Sequence, residues 1–242
     1  MWFDLPDCLM GDEMTKRAAV PALLLALLPL VGGCGDDEGP EVPDTEEAYP
    51  QYHSAPAIMA DGFETTLALD AFHLLGEIRD EAGTTLMDLS LRRDGDCLGS
   101  LQIPGWTEPA DLIVVGGRDY LRGSAEFWGD SAEQYAGRWV STGELRSYCD
   151  FESRLAPFTT EIDQELTSKD GVAEVDGTEV VRVSTPTPTG RVRAWVEVAE
   201  PHHVLRLTLT GGRDTGELDL SAFDEDVEVE APPAAEVVEF TG

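Results

Sequence analysis

The strongest constraint on the fold is an alternation of apolar and polar side chains, with a period of two, that begins near residue 70. In one segment Met87, Leu89 and Leu91 are separated by Asp88 and Ser90, which places the three apolar side chains on one face of a strand. Similar segments lie at residues 72–79, 178–185, 191–198, 203–210 and 216–221. Consecutive strands with short connections predict one antiparallel sheet of about nine or more strands.

Glycine and proline residues mark the connections between these segments. Asp94-Gly95 and Gly116-Gly117 supply the positive φ angles that tight hairpin turns require. The proline-rich stretch at residues 186–190 joins two of the late strands. The chain therefore predicts hairpins rather than the long crossovers of a parallel sheet.

Residues 56–67 have helical character. Gly62 weakens the pattern, but apolar side chains recur there at four-residue spacing: Met59, Phe63 and Leu67. Short helices are also predicted over residues 130–136 and 147–168, the second one broken at Pro157. The fold class is therefore α+β, with a single antiparallel sheet and a few helices packed on one face.

An apolar segment near the start of the chain predicts export. Residues 18–30 read AAVPALLLALLPL and follow Lys16 and Arg17 directly. They are fewer than the roughly 20 apolar residues that cross a bilayer, and their length and flanks are typical of a signal peptide, placed at residues 14–33. The alternative is a buried helix that ends at a glycine-rich turn.

Cys34 follows this segment. The sequence Val31-Gly32-Gly33-Cys34 resembles a lipobox, the processing site of bacterial lipoproteins. The resemblance implies that Cys34 receives a diacylglycerol thioether and becomes the mature N-terminus, so that the protein is held in a membrane by its lipid anchor.

The remaining N-terminal residues divide into a leader and a tether. Residues 1–13, the leader, are acidic, whereas the start of an export signal carries positive charge. We therefore predict that translation starts at Met14 and that the leader is a mis-annotation. Residues 34–50 contain the acylated cysteine and an acidic, proline- and glycine-bearing tether with too few apolar side chains to fold. Residues 51–242 contain no internal repeat or boundary and are predicted to form one domain.

Two cysteines remain in the predicted domain, Cys97 and Cys149. In an oxidising compartment such a pair indicates a disulfide. Two buried free thiols are the alternative.

Charge and motifs exclude several kinds of function. The net charge of −32 repels phosphate backbones, so no nucleic-acid partner is expected. His202 and His203 would point to opposite faces of a strand, and the acidic runs at residues 36–38 and 224–226 lack the spacing of a calcium loop. Because enzyme motifs are also missing from the sequence, we predict no catalytic residue, no metal site and no cofactor.

Four features follow one another along the predicted domain. The first two are Gly95-Asp96-Cys97-Leu98-Gly99-Ser100-Leu101 and the strand–Gly–Gly–strand unit at residues 114–121. The other two are Arg138-Trp139-Val140 and, at residues 223–237, an acidic strand with its Ala-Pro-Pro end. With the acylated cysteine, this order resembles the actinobacterial lipoproteins of the LppX/LprA/LprF/LprG type, over most of residues 55–238. The resemblance implies the LolA-like fold, in which helices cover the concave face of a half-barrel sheet. It also implies an apolar cavity that carries acylated lipids.

One departure from that family is the short, acidic character of the helices, seen at Glu161, Asp163 and Glu165. It predicts a small or filled cavity. The candidate lining residues are apolar or aromatic: Ile58, Met59, Phe63, Leu67, Trp128 and Trp139. Trp106, Phe127 and Trp195 are further candidates for acyl contacts. For all of these residues, ordinary core packing is the alternative.

The predicted function is a lipoprotein on the extracytoplasmic side of the cell membrane that binds or transfers an acylated lipid without catalysis. The alternative is a protein-interaction, sensor or accessory lipoprotein with the same fold and a filled cavity, whose protein partner the sequence does not identify. A hydrolase is a third hypothesis, for which the sequence offers no motif.

Overall fold

A computed structural model describes residues 49–159, 163–188 and 190–240, which fall within one compact unit. The predicted leader, signal peptide, Cys34 and most of the tether lie outside the described residues. The first described helix begins at Tyr49, slightly before the predicted domain boundary at residue 51.

The described residues contain five α-helices and four 3-10 turns. The α-helices are α1 (Tyr49–Tyr52), α2 (Ala55–Ala68), α3 (Ala125–Trp128), α4 (Ala132–Tyr135) and α5 (Phe151–Thr159). The 3-10 turns are Gly129–Ser131, Arg146–Cys149, Gln164–Leu166 and Ala234–Glu236.

Twelve strands of the described chain form one sheet. The strands are β1 (Ala71–Arg79), β2 (Thr84–Arg92), β3 (Cys97–Gln102), β4 (Ala110–Val115), β5 (Arg118–Arg122), β6 (Trp139–Ser141), β7 (Ser168–Val175), β8 (Thr178–Thr187), β9 (Gly190–Glu197), β10 (Val204–Thr210), β11 (Thr215–Ser221) and β12 (Val237–Glu239). Their order is β12-β6-β5-β4-β3-β2-β1-β11-β10-β9-β8-β7. Neighbours are antiparallel except β12, which runs parallel to β6. The predicted α+β class with one large antiparallel sheet is confirmed.

The hairpins follow the turn signals of the sequence. Gly116 and Gly117, at φ 57° and 73°, connect β4 to β5, and Gly95, at φ 87°, lies in the β2–β3 turn. The prediction that residues 186–190 are a connection is corrected, because β8 continues to Thr187.

Three strands were not predicted from the sequence. β6 and β12 have three residues each, too few for alternation to be recognised. β7 is an edge strand whose residues are mostly exposed, so it lacks the buried apolar set that identifies a central strand.

Helix α2 matches the helical prediction for residues 56–67. Ser54 caps it, since its hydroxyl accepts a hydrogen bond from the Ala57 N–H at 3.3 Å. Close packing explains why a glycine occupies position 62: a Cβ there would lie 2.9 Å from a methyl of Val196 and 3.2 Å from one of Val204. The glycine that weakens the helical pattern is thus the residue that lets α2 lie close against β9 and β10.

The prediction that Pro157 breaks a helix is wrong. Pro157 lies inside α5, which ends at Thr159 in the described chain. Because only one backbone N–H is missing at Pro157, a single hydrogen bond is lost and the helix continues past the proline.

The acidic strand predicted at residues 223–229 is also corrected, since this segment lies outside the sheet. Asp224 has another role there. Its carboxylate accepts hydrogen bonds from the N–H groups of Asp70, at 2.6 Å, and Ala71, at 3.3 Å. After β11 the tail therefore does not add a strand to the sheet; its Asp224 side chain caps the start of β1.

Asp119 is a buried carboxylate in β5 that fixes the loop after β6. It accepts hydrogen bonds from the N–H groups of Gly143, at 2.6 Å, and Leu145, at 2.7 Å, and from the Thr142 hydroxyl at 3.0 Å. Burial raises the pKa of Asp119, but these donors outweigh burial and hold the pKa below its usual value.

Asp119→Ala is expected to lower the free energy of unfolding by about 3 kcal/mol, because it leaves buried N–H donors without an acceptor.

Since the folded-state pKa of Asp119 is depressed, the stabilisation is present above the unfolded pKa and is lost as pH falls through the folded pKa. Urea titrations between about pH 7 and 2 should therefore show that the free energies of unfolding of the wild type and Asp119→Asn become equal at acid pH. Asp111→Asn, at an exposed ion pair with Arg122, is the control and should change little. A pH-independent difference between the wild type and Asp119→Asn would contradict this account.

Candidate functional site

The interior lies between the sheet and helices α2 and α5. One continuous apolar cluster fills it, with side chains from α2, α5 and most strands. Of the predicted lining residues, Ile58 and Met59 are 0% and 1% exposed, Phe63 is buried, and Leu67 is partly buried against the same cluster. Helix α2 thus presents these side chains to the interior, as its spacing predicts, and they occupy the space that a ligand would need.

A small number of polar contacts hold α2 and α1 in place. The Thr66 hydroxyl accepts a hydrogen bond from the Val204 N–H at 3.0 Å, which ties α2 to the first residue of β10. The Arg93 guanidinium donates to the carbonyls of Leu67 and Leu69 at the end of α2. The Lys169 ammonium donates to the Pro50 carbonyl at 2.7 Å. The remaining contact of α2 with the sheet is mainly apolar.

Helix α5 is held more firmly, because a disulfide joins Cys97 in β3 to Cys149 immediately before the helix. Both cysteines are fully buried. The structure therefore contains the disulfide that the sequence favoured over two free thiols. Between α2 and α5, α2 is the helix that can leave the sheet without breaking a covalent link.

Aromatic residues gather at one margin of the core. The rings of Trp106 and Phe127 pack edge to face at 4.9 Å, and Phe127 and Trp128 do so at 5.0 Å. Trp128 also contacts Tyr135, and its buried indole N–H has no hydrogen-bond partner within the described chain. Trp128 therefore flanks the apolar interior.

The predicted role of Trp139 as a lining residue is corrected. Leu121 lies opposite Val140 in the β5–β6 register and belongs to the core cluster, so Trp139, the next residue along β6, points to the other face. There the Arg122 guanidinium lies 4.4 Å from its ring centroid. Trp195 is also on this outer face, since Ala194 on its strand is in the core.

His202 and His203 do not lie on a strand, which corrects the prediction. They precede β10 in a turn, where the His202 ring stacks on Tyr49 at 3.8 Å and the His203 ring stacks on Phe223 at 4.2 Å. His203 Nδ1 also contacts the Glu197 carboxylate at 2.9 Å, and His202 Nδ1 contacts the Glu197 carbonyl at 3.1 Å, so both side chains hold this turn in place. Within the described ranges no group of His, Cys, Asp and Glu side chains is arranged to hold a metal ion. None of the helices described has the length and apolar character needed to span a bilayer.

Sequence reasoning missed the inner face of α5. Phe151, Leu155 and Phe158 are buried in the core, and the Phe151 ring lies 4.4 Å from that of Phe72. Their spacing of four and three residues was a signal that could have identified them.

Arg154 on the same helix was also missed. Burial lowers its pKa, while the nearby Tyr148 and Asp150 oppose this shift. Its guanidinium lies over the Tyr148 ring at 5.0 Å, and its buried Nε has no hydrogen-bond partner in the described residues. No ion pair to a carboxylate is seen for this side chain in the part of the chain described. Arg154 is thus a cation beside the apolar interior that an anionic group can pair with.

Comparison with known proteins places this architecture in a fold class. Searches against protein-family models and curated proteins gave no match. Among solved structures, the chain is similar to LprF from Mycobacterium bovis, with a TM-score of 0.55 and 16% identity over 74% of this chain and 96% of that one. It is also similar to the lipoprotein LppX from Mycobacterium tuberculosis, with a TM-score of 0.51 and 12% identity over 73% of this chain and 98% of that one. At these identities the likeness establishes a shared fold alone, and it confirms the predicted LolA-like class.

Proposed function

We propose that this chain is an exported lipoprotein, anchored through acylated Cys34 on the extracytoplasmic side of the cell membrane, whose body binds an acyl lipid between α2 and the sheet. The observation that carries the proposal is the apolar interior beneath α2, a helix with no covalent link to the sheet. The fold shared with LppX, which is described as a lipoprotein, supports it. Binding needs no catalytic group and no cofactor.

Lipid entry requires α2 to move, because Ile58, Met59 and Phe63 occupy the interior. An acyl chain would replace their contacts, and each of its buried CH₂ groups contributes about 0.8 kcal/mol relative to water. Because the chain is also out of water in a bilayer, its transfer from the bilayer into the interior is close to balanced, as a carrier that loads and unloads needs. Arg154 would pair with an anionic headgroup at the side of α5.

A disulfide that locks α2 against β9 tests this proposal. The near-contact of a Cβ at position 62 with the Val196 methyls suits a crosslink between Gly62→Cys and Val196→Cys. The oxidised double variant should take up pyrene-labelled phospholipid from vesicles at least about tenfold less than Gly62→Ser/Val196→Ser, whose side chains are similar in size but cannot form the crosslink. Arg154→Gln, in the unlocked protein, should reduce uptake of anionic more than of zwitterionic lipid.

Uptake by the locked variant at the level of Gly62→Ser/Val196→Ser would contradict entry beneath α2. If the wild type also takes up no lipid, the second candidate function is favoured, a protein-interaction lipoprotein. The complete burial of Ile58 and Met59 is the specific observation in its favour, since these side chains already fill the interior.

A further inference from the structure

The face of the sheet opposite α2 carries a shallow groove of about 540 Å³ over β11, β1, β2 and β3, here called the outer groove. Two leucines form its apolar part, Leu75 on β1, 49% exposed, and Leu86 on β2, 40% exposed. Their neighbours Leu74 and Met87 are buried on the other face, so the exposure of both leucines follows from the register of two central strands. Both leucines line the same groove, and apolar surface rimmed by polar groups marks an interaction site more often than scattered single residues do.

Carboxylates surround these two leucines. Asp88 lies directly opposite Leu75 on β2, and Asp219 lies opposite it on β11. Glu77 lies opposite Leu86. Each leucine therefore has an acidic side chain directly opposite it on a neighbouring strand.

Two of the acidic residues in the outer groove, Glu77 and Glu217, face each other in the β1–β11 register. Like charges directly opposite each other destabilise a sheet. Arg206 lies 3.7 Å from Glu217, but its short contact, at 2.5 Å, is with Asp219. Glu77 has no ion pair among the described residues. Arg206 thus pairs with both Glu217 and Asp219, so its one charge does not neutralise these two carboxylates and Glu77, and the groove keeps excess negative charge beside its exposed apolar side chains.

We propose that the outer groove docks a protein partner through a segment that carries a lysine or arginine beside an apolar side chain on the same face. The cation pairs with Glu77 and lies near Glu217, where it neutralises the excess negative charge, and the apolar side chain buries Leu75 and Leu86. The groove is on the face opposite the proposed lipid site, so the two sites do not overlap.

The test uses two synthetic peptides and the full chain in neutral detergent. Acetyl-Lys-Ser-Leu-Ser-Lys-amide, when extended, presents its lysines and leucine on one face, and acetyl-Lys-Ser-Ser-Ser-Lys-amide has the same charge without the leucine. Carbodiimide coupling of peptide lysines to protein carboxylates, mapped by mass spectrometry, should place the crosslinks on Glu77 and Glu217. Titration should show tighter binding of the leucine peptide than of the control peptide.

Two charge-matched variants separate the groove from the general acidity of the protein. Glu77→Gln/Glu217→Gln should weaken the leucine peptide about tenfold, whereas Glu126→Gln/Glu152→Gln, at exposed helix positions, should change it less than about twofold. Leu75→Ser/Leu86→Ser should abolish the preference for the leucine peptide. Thermal melting confirms that each variant is folded. Equal weakening by the two glutamine pairs, crosslinks scattered over other carboxylates, or an unchanged leucine preference in the serine variant would overturn the proposal.

Discussion

Replacing Cys34 with serine is expected to move the protein from the membrane fraction to the soluble fraction almost completely. The reason is chemical: a serine hydroxyl cannot form the thioether that carries the lipid, and two acyl chains are what make membrane anchoring stable. The measurement is the distribution of the protein between pellet and supernatant after cell lysis and ultracentrifugation.

Cys8→Ser is the matched control for this experiment, because it removes another cysteine from the N-terminal region. If translation starts at Met14, this variant should fractionate with the membrane as the wild type does. A Cys34→Ser protein that stays in the membrane pellet after a high-salt wash would contradict the anchor.

Removing the disulfide is expected to have the largest effect on stability. The bridge closes a loop with a sequence separation of 52 residues, and in the chain-entropy model its loss lowers the free energy of unfolding by about 4 kcal/mol. The variant to measure is Cys97→Ala/Cys149→Ala, which avoids placing hydroxyl groups in the fully buried site. Denaturant unfolding gives the free energy, and hydrogen exchange should show faster opening of α5.

The wild type unfolded in the presence of a reductant provides the control, since it loses the same crosslink without a change in sequence. It should unfold at nearly the same denaturant concentration as the double variant. Equal stability of the oxidised wild type and the double variant would show that the bridge does not stabilise the native fold.

Much of the fold could be predicted because its physical causes are local. Alternation in segments such as residues 86–92 reports one buried face, and Gly116-Gly117 requires a tight turn, so the long hairpins follow from the sequence. Short elements could not be found in this way. β12 pairs with β6 over three residues that are distant in sequence, and only tertiary contact selects that pairing.

The candidate site was partly predictable for the same reason. The spacing of Met59, Phe63 and Leu67 defines one helix face, but no pattern says whether a helix face covers a cavity or fills it. Trp139 was assigned to the wrong face because a three-residue strand has too little alternation to fix its orientation. Asp119 could not be found, since its importance lies in donors more than 20 residues away that fold back onto it.

The proposed membrane location depends most directly on what is attached to Cys34 in the mature protein. Mass spectrometry of the N-terminal peptide from membrane-purified wild-type protein measures this without any substitution. The expected result is a peptide that begins at Cys34 and carries diacylglycerol on its sulfur. A peptide in which Cys34 is unmodified, or is still joined to residues 31–33, would contradict it.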